Sequence, residues 1–73
     1  MSTYSSGDAI LNRFTAMCDV SVDRPICSVA WFALAARAQF AATQATNPVV
    51  VQQLVNVSIE AERCAMDSIT MGI

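Results

Sequence analysis

Residues 26–46 read ICSVAWFALAARAQFAATQAT. Eight alanines, Trp31, Phe32 and Phe40 share this stretch with one charge, Arg37. Alanine has the highest intrinsic helix propensity, so the run predicts a long helix. That helix is apolar on nearly every face, and such a helix must be covered all round. A chain of 73 residues has little else to cover it with. The cover is therefore expected from further copies of the same chain, which points to a self-assembling structural protein.

Two more helices are predicted, one on each side of this run. Upstream, Ile10, Phe14 and Met17 fall at i, i+4 and i+7, with Leu11 and Cys18 flanking the same face, which gives a helix over about 7–18. Ser6 or Asp8 can cap it. Residues 1–7 are small and polar and read as a terminal arm. In the connection Asp19-Val20-Ser21-Val22-Asp23-Arg24, polar residues and valines alternate, the pattern of an extended segment. Pro25 then suits the first turn of the second helix, about 25–46, with Asp23 as its cap.

Asn47-Pro48 is the clearest punctuation in the chain. Proline disfavours helical geometry in the residue before it and is pre-organised for the first helical position after it. A helix corner is expected there, with Asn47 capping a third helix over about 48–69. Val50, Leu54, Val57, Ala61 and Cys64 make one stripe of that helix, and Val51, Val55 and Ile59 an adjacent one. The β-branched run Val49–Val51 would also suit a strand. Helix is preferred because the pattern continues for about five turns without glycine or proline. Gly72 can end it. The expected fold is all-α: one small helical domain over 1–73, two or three helices in a helical hairpin, polymerising by lateral and end-to-end helix packing.

Several function classes are excluded by composition. Net charge is −2, from six carboxylates and four arginines, with no lysine or histidine. Without a basic patch, nucleic acid is not an expected partner. Without histidine, Ser-His, Cys-His and His-metal chemistry cannot be built within one chain. Gly7 and Gly72 are the only glycines, so there is no phosphate-binding loop. Glu60 and Glu62 are spaced i, i+2 and face different ways on a helix. No enzyme, cofactor, metal or small-molecule substrate is expected. Cys18, Cys27 and Cys64 form no CxxC pair and read as small hydrophobes in a reducing compartment, with an intermolecular disulfide as the sharper alternative. Asn56-Val57-Ser58 matches a glycosylation sequon by chance. No signal peptide is read in MSTYSSGDAI. Ile26–Ala42 is 17 residues long and includes Ser28, Arg37 and Gln39, whereas a span needs about 20 apolar residues. A resting span is not expected, and membrane contact after a conformational change stays open.

Trp31, Phe32, Leu34 and Phe40, with Val51 and Leu54 of the third helix, are the expected subunit contacts. Arg37 and Arg63 are ion-pair candidates. With no histidine, carboxylates are the groups to titrate on mild acidification, and clustering raises their pKa values. Asp19, Asp23, Glu60 and Glu62 are accordingly candidates for a pH-sensitive contact.

The order of these features resembles the R-body structural proteins, the Reb family (RebB-like). Asp19-Val20-Ser21-Val22-Asp23-Arg24-Pro25 resembles that family's V-x-V connection, acidic residue and proline. Trp31-Phe32 falls where the family tends to place a large apolar and aromatic pair, and Gln52-Gln53-Leu54-Val55-Asn56-Val57 resembles its Gln-Gln-Leu-Asn-Val stretch. The connection here is shorter and lacks the family's usual glycine. The resemblance covers about residues 8–70. It implies a subunit of a protein ribbon coiled in the bacterial cytoplasm, built from copies of itself and related subunits. Such a ribbon extends into a tube on acidification, disrupts membranes and delivers toxicity, with no reaction catalysed. A type III secretion needle or pilus subunit is the alternative, and a small helical protein-interaction module a third reading.

Overall fold

Apolar periodicity of 3.6 residues dominates the chain, and the computed structural model, which describes residues 6–72, is helical accordingly. Its helices are α1 (Ser6–Asp23), α2 (Ser28–Gln44) and α3 (Pro48–Thr70), with no strand among the described residues. The all-α hairpin expected from the sequence is what forms. Most of the expected terminal arm, residues 1–5, lies outside the described residues.

α2 and α3 make the hairpin, and α1 lies against both. Two long-range hydrogen bonds give the hairpin its direction. Gln39 Nε2 donates to Glu62 (3.2 Å), and Ser68 Oγ donates to the Ile26 carbonyl (2.7 Å), so positions ascending on α2 meet positions descending on α3. One stripe of each helix fills the core. α2 gives Trp31, Leu34, Ala35, Ala38 and Ala41; α3 gives Leu54, Val57, Ala61 and Ala65; α1 gives Ile10. Small residues on both sides, Ala38 against Ala61 and Ala65 in the same cluster, let helices approach closely.

The Asn47–Pro48 corner forms as the sequence predicts. Asn47 is extended (φ −83°, ψ 120°), its side chain accepts from the Val49 N–H at 2.9 Å, and Pro48 begins α3. Val49–Val51 are helical, not strand. At the other end Gly72 takes φ +78°, a conformation that favours glycine, and its N–H reaches the Ile69 carbonyl at 3.0 Å.

The first connection differs from expectation. α1 does not stop at Cys18 but runs on to Asp23, and Asp19–Asp23 is helical rather than extended. Alternation stabilises a strand only when one face is buried, and here both Val20 (45%) and Val22 (83%) are exposed. Adding turns to an existing helix is easier than starting a new element, and Arg24 N–H to Val20 C=O closes the last one (3.0 Å). Pro25 then lies in the connection and not in the first turn of α2. α2 starts at Ser28 with Cys27 at its N-cap and no side-chain cap, so Asp23 does not cap it. The connection is held instead through Ile26, which packs against the core and accepts from Ser68. α2 ends two residues earlier than expected, at Gln44.

Candidate interaction surface

Six residues expected at subunit contacts divide between inside and outside. Trp31, Leu34 and Leu54 are 2%, 1% and 0% exposed. They belong to the chain's own core, which corrects their assignment to an intersubunit contact. The physical reason is the packing of all three helices: Leu34 and Leu54 lie in the shared core of α2 and α3, and Phe14 of α1 meets Trp31 edge-on, ring centroids 6.3 Å apart at 67°. Val51 is half-buried. Phe32 (41%) and Phe40 (69%) remain open.

What is left uncovered on α2 is a second apolar stripe. Successive residues turn by 100°, so Val29, Phe32, Ala33, Ala36 and Phe40 share the side opposite the core, and all five are exposed. Arg37 is the one charge on the helix and borders this stripe. Beside it, α1 and α2 enclose an open hollow of about 460 Å³ walled by Ala9, Ile10, Ala36, Arg37, Phe40 and Ala41. α3 has an outer stripe of its own, Val55, Ile59 and Met66, flanked by Glu62 on one side and Arg63 and Asp67 on the other. Sequence reading missed this second stripe as a surface feature. Its signal was present in the i, i+4, i+11 spacing of those three residues.

The charged candidates fall into separate places. Arg63 pairs with Glu60 (3.1 Å) one turn away, both well exposed, a geometry that contributes little to stability. Glu62 accepts from Gln39 across the α2–α3 seam. Arg37 sits at the rim of the hollow. Asp19 and Asp23 are exposed, one turn apart on the last turns of α1, and the last turn itself holds no basic residue.

Asp19 and Glu60 are brought to one seam between α1 and α3, where both act on Cys18. Burial pushes the Cys18 thiol up, and the charges of Asp19 and Glu60 push it further. Cys64 is raised in the same way, by burial first, then by Cys18, Glu60 and Asp67, with Arg63 opposing. All three cysteines are free thiols, and Cys27 is exposed. No group of three metal-ligating side chains occurs among the described residues, and no described helix is long and apolar enough to cross a membrane.

Compared with known protein families, curated proteins and solved structures, the chain shows no match.

Proposed function

We propose that this chain is a structural subunit of a self-assembling cytoplasmic ribbon of the R-body kind, which extends on acidification and disrupts membranes. One observation carries the assembly part of the reading. After the chain has completed a core of its own, α2 still presents Val29, Phe32, Ala33, Ala36 and Phe40 to solvent. A contiguous exposed apolar stripe of this length marks a surface that meets a partner. Copies of the same chain and related subunits are the partners, joined by lateral and end-to-end helix packing.

The ribbon identity rests on the sequence resemblance over residues 8–70. The acid response is assigned to carboxylates near the helix seams. Asp19 and Glu60 share the α1–α3 seam, and Asp23 adds charge at the carboxyl end of α1. A polymer that switches needs two arrangements differing by a few kcal/mol per subunit, and α1, which alone sits outside the hairpin, is the element whose rearrangement would supply them.

Electron microscopy of the purified protein, alone and with related subunits, at neutral and mildly acidic pH tests this reading. Coiled ribbons that lengthen in acid support it; a protein that stays dispersed at both pH values refutes it. A thin straight filament would favour the second reading, a needle or pilus subunit, for which the α2–α3 hairpin with its Asn47–Pro48 corner speaks.

A further inference from the structure

The two outer stripes differ in charge, and that difference selects how copies meet. Arg37 is the only charge on α2. On α3, Glu62 and Asp67 outnumber Arg63 around Ile59 and Met66, which leaves a net −1 there. The outer side of α1 fits neither partner role, because Asn12, Arg13, Thr15 and Asp19 make it polar. Resting on the assembly reading above, we infer that the α2 outer stripe of one copy packs against the α3 outer stripe of the next copy.

The alternatives are disfavoured on the same grounds. An α2-to-α2 contact brings two Arg37 guanidinium groups to one seam, and α2 has no carboxylate to offset them. An α3-to-α3 contact sets two carboxylates against two, with one arginine on each side. Like-charge juxtaposition at an interface costs several kcal/mol. Only the mixed contact faces a cation with an anionic border.

Side-chain spacing agrees. Ile59 and Met66 project from α3 seven residues apart, ~10 Å along the axis. On α2, Val29 and Ala36, and Ala33 and Phe40, are also seven apart, with the two alanines forming a low stretch between Phe32 and Phe40. Two large side chains at that repeat can seat between residues of the facing helix, as in heptad packing.

Where each copy gives its α2 stripe to one neighbour and its α3 stripe to another, the contact is heterologous and propagates into an open polymer.

Single-cysteine cross-linking tests this. In a background with Cys18→Ser, Cys27→Ser and Cys64→Ser, chains carrying Ala36→Cys are mixed with chains carrying Ile59→Cys and oxidised with copper phenanthroline. The expected product is a disulfide-linked dimer holding one chain of each kind, with far less product when either variant is oxidised alone. Ala36→Cys chains that cross-link equally well among themselves overturn the inference. So do polymers visible by microscopy that give no mixed product, in which case the assembly reading stands and the pairing of faces falls. If the wild-type chain forms no polymer, both fall.

If the cysteine-free background does not fold, charge inversion in the otherwise unaltered chain decides. Arg37→Glu should raise the concentration needed for polymerisation by ~10-fold or more. Adding Glu62→Arg and Asp67→Arg to it should restore polymerisation towards the wild-type threshold. An unchanged threshold in Arg37→Glu, or no recovery in the triple variant, overturns the pairing.

Discussion

Phe14 of α1 meets the indole of Trp31 of α2 edge-on, centroids 6.3 Å apart. This contact is the reason Trp31 is buried inside one chain while its neighbour Phe32 faces out. Adjacent helical residues point 100° apart, so covering one leaves the other in the open.

Trp31→Ala should therefore act on the fold of the single chain. A buried tryptophan cut back to alanine costs ~3–5 kcal/mol, a large share of the stability of so small a domain. Phe40→Ala, at an exposed position, should shift stability by no more than ~0.5 kcal/mol. Urea unfolding followed by circular dichroism measures both, and similar midpoints for the two variants would refute the division of α2 into an inner and an outer stripe.

At the hairpin corner, Asn47→Ala removes the acceptor of the Val49 N–H. The expected loss is ~1 kcal/mol. Asn47→Asp should retain most of the stability, because its carboxylate oxygen accepts the same bond and suits the positive helix end. Equal losses in the two variants would show that the cap is not what matters there.

Much of the hairpin was legible before any coordinates. Asn47-Pro48 combines a capping side chain with a residue that can begin a helix but not continue one, a local signal that packing has no reason to override. The stripe Val50, Leu54, Val57, Ala61 and Cys64 proves buried or half-buried throughout. Asp19–Asp23 misled because a five-residue alternation does not distinguish a strand from a helix continued with both valines in solvent. Trp31, Leu34 and Leu54 misled because their burial depends on how the three helices pack on one another, which periodicity within each helix does not reveal. The outer stripe of α2 was legible as excess apolar surface, but which aromatic residues remain on it required α1 to be in place.

The thiols give a prediction with a definite sign. Burial and neighbouring carboxylates raise Cys18 and Cys64, so the folded chain holds those protons more tightly than the unfolded one. Their contribution to stability is complete below the ordinary thiol pKa and is lost as pH rises through the raised values. Stability should thus fall on the alkaline side, and Cys18→Ala should flatten that fall. At pH 8 the exposed Cys27 should react with Ellman's reagent well before the other two. Three equal rates would contradict the burial of Cys18 and Cys64.

The carboxylates give the prediction closest to the proposed switch. Asp23 ends α1 with no basic residue in its last turn. Removing that charge in Asp23→Asn should stabilise α1 by ~0.3–1 kcal/mol at low salt. Glu60→Gln removes the partner of Arg63 and the charge beside Cys18 and Cys64. Either substitution should move the pH at which the ribbon changes form, or hold it in one form. Microscopy over a pH series measures this, and an unmoved transition in both variants would detach the switch from these residues.

Sedimentation velocity at neutral pH, comparing wild type with Phe40→Asp, tests most directly the claim that the outer face of α2 drives assembly. The wild-type chain should sediment as large polymers. Phe40→Asp, its charge set on the exposed stripe, should sediment as a helical monomer of about 7.8 kDa. A wild-type chain that sediments as a single monomeric species, or a Phe40→Asp chain that polymerises as readily as wild type, would contradict the claim.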